Sequence, residues 1–163
     1  MEVSLKPVCP RITRSRIARL KRDLIEARKE LERASVALGN EKYEFEWPEI
    51  IAKLKKKWAL KYKEHDGCSN FLYISHKFGL VVKRSYLCRD PKNLPKAAIF
   101  TEIVPCVDIE GATPIYIQPK ADVSDYNAGR AYDAILDSNP RGMTDLHEGN
   151  VAVFRGEAVL IDW

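Results

Sequence analysis

The chain has 163 residues, 45% of them hydrophobic and 31% charged, enough for one packed domain and too apolar for a disordered polymer. No apolar run approaches the roughly 20 residues of a membrane-spanning helix and no signal-type apolar segment is present, so a cytoplasmic protein without a membrane anchor is expected. Cys9, Cys68, Cys88 and Cys106 include no C-x-x-C pair, which argues against a zinc knuckle or a disulfide framework and for a reducing compartment.

Charge is unevenly distributed. Residues 1–63 hold 17 Lys+Arg against 9 Asp+Glu, a net of +8, and residues 64–163 hold 10 against 14, a net of −4. Ile17, Leu20, Leu24, Ala27, Leu31, Ala34 and Leu38 step by three and four, the spacing of a helical, coiled-coil-like seam. Arg19 with Asp23 and Arg28 with Glu32 can pair along its outside. Gly39-Asn40 supplies a left-handed stop.

A second helix is expected from Trp47-Pro48, proline suiting the first turn, with Ile51, Leu54, Trp58 and Tyr62 on one stripe and Gly67 at its exit. Lys53, Lys55, Lys56, Lys57, Lys61 and Lys63 cover the rest. Such a helical pair can grip nucleic acid through phosphate neutralisation. The plainer reading, which we adopt, is a solvated face on helices packed against the domain or against a second copy of the chain. The aromatic residues show no stacking pattern among the lysines.

From residue 66 the texture is β. Residues 71–75 and 80–85 are apolar, branched or aromatic runs around His76-Lys77-Phe78-Gly79, predicting a hairpin. Pro95 opens a predicted short helix over 95–104. Strands are expected at 106–110 and 113–118 around Gly111, then a helix over 124–136 that stops before Asn139-Pro140.

The tail reads DLHEGNVAVFRGEAVLIDW. Residues 151–154 and 158–161 are short apolar runs parted by Arg155-Gly156-Glu157, so a second hairpin is expected. It returns the acid after its second strand beside the polar loop before its first, so Asp145, Asn150 and Asp162 converge. Two carboxylates and an amide suit a hard cation such as Mg²⁺.

In these residues the chain resembles the protein-kinase-like phosphotransferases. Asp145 and Asn150 have the spacing of the catalytic loop H-R-D-L-x-x-x-N, and Asp162 falls where the D-F-G aspartate would. His147 after Asp-Leu and the terminal Ile-Asp-Trp look more like the aminoglycoside and choline kinase branch, or small phage and bacterial kinase-like proteins. The residues before the base are here Met143 and Thr144, and residues 66–70 have one glycine where the family has a glycine-rich loop.

The resemblance implies an α+β chain: a basic helical extension over 1–65, then a minimal protein-kinase-like fold over 66–163. That fold comprises an antiparallel small-lobe sheet and a partial large lobe, reaching just past the D-F-G-type aspartate. It also implies ATP and Mg²⁺ as cofactors, Asp145 as catalytic base, and Asn150 and Asp162 on the metal. Lys83, ending a strand like that of V-A-I-K, would reach the nucleotide phosphates and pair with Glu102 on the 95–104 helix. Ile117-Gln118-Pro119-Lys120 would be the hinge for adenine, with Asp122 on the ribose or capping the next helix. The acceptor is a protein or a small molecule.

The family's further helices are not in this sequence, so the N-terminal helices are expected to cover the back of the final hairpin, within the chain or across a homodimer. Loss of the glycine loop and of the bracing residues keeps open an inactive kinase-like module that binds and regulates a partner protein.

Overall fold

A computed structural model describes residues 9–39, 47–63, 72–84, 97–104, 115–122, 124–138 and 150–161. Helix α1 (Arg11–Ala37) carries the expected stripe, with Ile17, Leu20, Leu24 and Ala27 buried. Its end is exposed, Val36 at 70% and Leu38 at 81%, and Gly39 turns left-handed with φ 83°. Helix α2 (Trp47–Trp58) packs on α1 through Ile50, Ile51 and Trp58.

Helix α2 stops earlier than its lysine pattern suggests. Ala59 adopts a left-handed φ of 50°, and the Leu60 N–H bonds the Lys55 carbonyl at 3.0 Å, closing a Schellman cap. The chain leaves this turn directly as strand β1 (Lys61–Lys63). Tyr62, expected on the helical stripe, is therefore a strand residue.

Four more strands complete an antiparallel sheet: β2 (Leu72–Ser75), β3 (Leu80–Arg84), β4 (Glu102–Val104) and β5 (Ile115–Pro119), in the order β1-β2-β3-β5-β4. The β2–β3 hairpin is the one expected around residues 76–79. Ser75 holds its turn by accepting the Phe78 N–H at 3.2 Å while donating to the Trp58 carbonyl at 2.6 Å.

The predicted helix over 95–104 does not form. Residues Ala97 to Ile99 instead run parallel to the second tail strand, and 102–104 is β4 on the edge of the large sheet. The expected strand at 106–110 lies outside the described residues.

Register separates the two faces of the large sheet. Tyr73, Val82, Ile117 and Glu102 form one cross-strand row, and Leu72, Lys83, Tyr116 and Ile103 the neighbouring row on the opposite face. The first face meets α1 and α2: Tyr73, Leu80, Val82, Val104, Ile115 and Ile117 share a core with Ile17, Leu20, Leu24, Ile50, Ile51 and Trp58. That core crosses the expected boundary at residue 65. The helices thus cover the large sheet, not the final hairpin, and they do so within one chain.

The tail hairpin is β6 (Val151–Phe154) and β7 (Glu157–Leu160), paired Val151 to Leu160 and Phe154 to Glu157. Arg155 and Gly156 both have positive φ, 51° and 81°, as a two-residue type I′ turn requires. Helix α3 (Asp125–Ser138) covers the side bearing Val151 and Leu160 through Ala131 and Ile135. The chain is thus α+β, with three helices, a five-stranded antiparallel sheet and a two-stranded sheet among the described residues. No described helix is long and apolar enough to cross a membrane.

Two consequences are measurable. Leu24→Ala, which opens a cavity under the sheet, lowers unfolding free energy by about 2 to 5 kcal/mol, whereas Leu38→Ala changes it by at most about 0.5 kcal/mol. Because the stripe is buried within the chain, the melting temperature is independent of protein concentration; a rise with concentration would identify a seam between chains.

Asp23 ties the two helices, accepting Trp58 Nε1–H and Lys57 Nζ–H at 2.8 Å each. Burial pushes its carboxyl up. The hydrogen bonds from Lys57 and Trp58, with the charges of Lys57 and Arg19, outweigh burial and hold its pKa below the ordinary carboxylate value. A depressed folded-state pKa contributes stability above the unfolded value of about 3.9, and that stability is lost as pH falls through the folded pKa. Asp23→Asn should flatten the fall in urea-unfolding free energy between about pH 5 and about pH 2, and Asp23→Ala should cost about 1 to 3 kcal/mol at pH 7 by orphaning the indole N–H.

Candidate functional site

Strand β3 is buried on the helix side through Leu80 and Val82, so alternation sends Lys83 to the other face. Lys83 is itself 7% exposed. An ammonium is held in such a place only where oxygen atoms receive it. Its Nζ donates to the carbonyl oxygen of Ile161, just beyond the end of β7.

Gln118 reaches the same atom. It sits on β5 opposite Val81, on the Lys83 face, and is 2% exposed. Its Nε2 donates to the Ile161 carbonyl at 3.0 Å and to Thr101 Oγ1 at 2.9 Å. Thr101 in turn donates to the Ile99 carbonyl at 2.9 Å. Large sheet, connecting strand and hairpin therefore meet at one peptide group.

The N–H of Ile161 completes this junction by bonding the Asn150 carbonyl at 2.9 Å, which extends the β6–β7 register by one pair. Asn150 is 3% exposed and lies on the hairpin side that carries Ala152, away from α3. Of the three residues expected to converge, Asn150 is described, and it pairs with Ile161. Asp145, His147 and Asp162 lie outside the described residues. Among the described residues no three His, Cys, Asp or Glu side chains gather as a metal site.

Other expected site residues are placed differently. Glu102 is on a strand, and its row puts it on the helix-covered face, opposite to Lys83. Its carboxylate pairs with Lys21 Nζ of α1 at 3.1 Å, so the expected Lys83–Glu102 ion pair is absent. The spacing of nineteen residues carried no information about which face Glu102 would occupy.

Gln118 turns its side chain inward as a strut. In the segment expected as a hinge, the Lys120 N–H bonds the Gly79 carbonyl at 2.8 Å. Asp122 makes a two-way backbone bridge with Val153, and its Oδ1 accepts the Ser124 N–H at 2.8 Å just before α3.

Residues not singled out from the sequence also belong here. Leu72, Ile74 and Val81 are half-buried on the Lys83 face, leaving an apolar strip beside the lysine. Their signal was the apolar character of the two runs. A single amide within the fully buried run of β5 was the signal for Gln118. Thr101 and the Ile161 carbonyl gave none, since neither a lone threonine nor a backbone oxygen is visible in a pattern of side chains.

Comparisons with known proteins return no match: no family model, no curated protein and no solved structure.

Gln118→Ala removes a donor from both the Ile161 carbonyl and Thr101. Unfolding in urea should show a loss of about 1 to 3 kcal/mol, the cost of leaving buried polar groups unmet. A loss below about 0.5 kcal/mol, the size of a change at an ordinary surface position, would mean that the two sheets are joined elsewhere.

Proposed function

We propose that the protein is a minimal, protein-kinase-like phosphotransferase that uses ATP and Mg²⁺. One observation carries the reading: a buried lysine of an antiparallel sheet is aimed at the peptide directly before Asp162, where Asn150 lies alongside. An apolar strip of Leu72, Ile74 and Val81 beside that lysine is a surface suited to a nucleobase.

The donor set fits the metal. Asn150 is a buried amide at a hairpin end, and with Asp162 it offers hard oxygen ligands. In this reading Asn150 and Asp162 hold Mg²⁺, which when bound neutralises charge on the phosphates. Lys83 contacts the nucleotide phosphates, and Asp145 orients the acceptor hydroxyl and receives its proton. Gln118 is a positioning residue: it holds the Ile161 carbonyl in place and leaves the lysine head group adjustable. Glu102 has no part in the site.

A second reading, a non-catalytic kinase-like module that regulates a partner protein, is favoured by one specific feature. The Lys120 N–H expected at a hinge is committed to Gly79. Thermal melting separates the two. ATP with Mg²⁺ at 100 times its dissociation constant should stabilise the fold by about 2.7 kcal/mol, about 5 to 10 °C for a chain of this size. Lys83→Met and Asp162→Asn should abolish that shift, and Asp145→Asn should keep it while lowering phosphate transfer about 10²- to 10⁴-fold. Absence of a shift with any nucleotide would leave the regulatory module.

A further inference from the structure

The lysines of residues 53–63 do not form one helical face. The Schellman turn at Ala59 ends α2 and starts β1, so Lys55, Lys56 and Lys57 of the last helical turn and Lys61 and Lys63 of the edge strand flank one turn. All five are exposed. Lys57 is paired with Asp23, but among the described residues no carboxylate pairs with Lys55, Lys56, Lys61 or Lys63.

An aromatic ring stands between them. Tyr62 is 55% exposed on the side of the sheet that faces the helices. Its ring is braced edge-on by Tyr73, centroids 5.4 Å apart, and Lys55 Nζ lies 5.5 Å from the Tyr73 centroid. Flanking Lys61 and Lys63 project from the opposite side of the strand. The result is a fixed π-face with cations on both sides of the strand that carries it.

Ordinary structural roles account for part of this. Lysines in the last turn of α2 complement the helix dipole, and lysines on an edge strand discourage strand-to-strand aggregation. Neither role explains an exposed tyrosine between two of them.

We propose that the α2–β1 corner is a binding surface for single-stranded nucleic acid, the lysines following the phosphates and Tyr62 stacking on a base. Lysine ammoniums act as point charges that suit a flexible polyanion, and a single exposed ring suits unpaired bases, which present their π-faces. An acidic protein segment would use the charge but leave the ring without a role. Lys61 and Lys63 lie on the same sheet face as Lys83, in register with Ile74 and Leu72, while Tyr62 and the α2 lysines lie on the other.

Fluorescence anisotropy with a labelled oligodeoxythymidine of about 20 nucleotides tests it, at about 50 and about 200 mM salt. Binding should weaken steeply with salt. The triple variant Lys56→Gln, Lys61→Gln, Lys63→Gln should reduce the log–log salt slope by about 2. Tyr62→Ala should lower affinity about 5- to 150-fold without changing that slope, and Tyr62→Phe should retain it. Because Tyr62→Ala removes a contact with Tyr73, each variant's melting curve is recorded; Lys61→Gln with Lys63→Gln, both at exposed positions, gives a second reading on an intact strand. No binding at about 50 mM salt overturns the proposal. So does equal affinity for polyglutamate, for anionic vesicles or for duplex DNA, or an affinity indifferent to Tyr62.

Discussion

Among the described residues, the backbone carbonyl of Ile161 is where side chains of the large sheet meet the tail hairpin. Lys83 and Gln118 both donate to it from the front of the large sheet. Each is almost fully buried, so neither has bulk water as an alternative partner. Removing that acceptor would take one hydrogen bond from each of two buried groups, and buried bonds are costlier to lose than neutral surface contacts. The hairpin end is therefore fixed to the β3–β5 pair by polar necessity as well as by apolar packing.

Backbone bonding supports the same junction from both flanks. Ile99 N–H donates to the Leu160 carbonyl and Leu160 N–H to the Ala97 carbonyl, while Asp122 and Val153 exchange two bonds on the other edge. The hairpin is thereby held between the segment leading into β4 and the segment leaving β5, the two strands that form the far edge of the large sheet. This explains why 97–104 is extended despite its proline-led, alanine-containing sequence. Its N–H and C=O groups find sheet partners on both sides, and pairing of that kind overrides a weak local preference for helix.

The elements legible in the sequence were those with repeated local signals. Helix α1 announced itself by a stripe from Ile17 to Leu38, α2 by Trp47-Pro48, and the β2–β3 and β6–β7 hairpins by short apolar runs around glycine-containing turns. What was hidden depended on partners distant in the chain. Lys61-Tyr62-Lys63 reads as more of the helical lysine run, because a strand exposed at all three positions has no hydrophobic alternation. Glu102 was displaced for a similar reason: a count along the chain from Lys83 cannot register the pleat, and one position decides between the helix-covered face and the front. Of the residues in the candidate site, Lys83, Gln118 and Asn150 are ones that the sequence singled out, and Asp145 and Asp162 lie outside the described residues.

The division of charge along the chain has a different meaning from mutual attraction of its halves. Between α1 or α2 and the later strands, among the described residues, one ion pair crosses, Lys21 with Glu102, and both groups are about a third exposed. Pairs of that kind contribute about 0 to 1 kcal/mol. Each buried leucine or isoleucine of the helix–sheet core contributes about 1.5 to 3 kcal/mol, and Ile17, Leu20, Leu24, Ile50 and Ile51 are all buried. The helices are held by apolar burial, and they would be held as well by a neutral surface. Apart from Lys57, which pairs with Asp23, the lysines at the α2–β1 corner have no carboxylate partner among the described residues, and their self-repulsion raises the free energy of the isolated chain. A charge pattern that weakens the protein alone is relieved by an anionic partner.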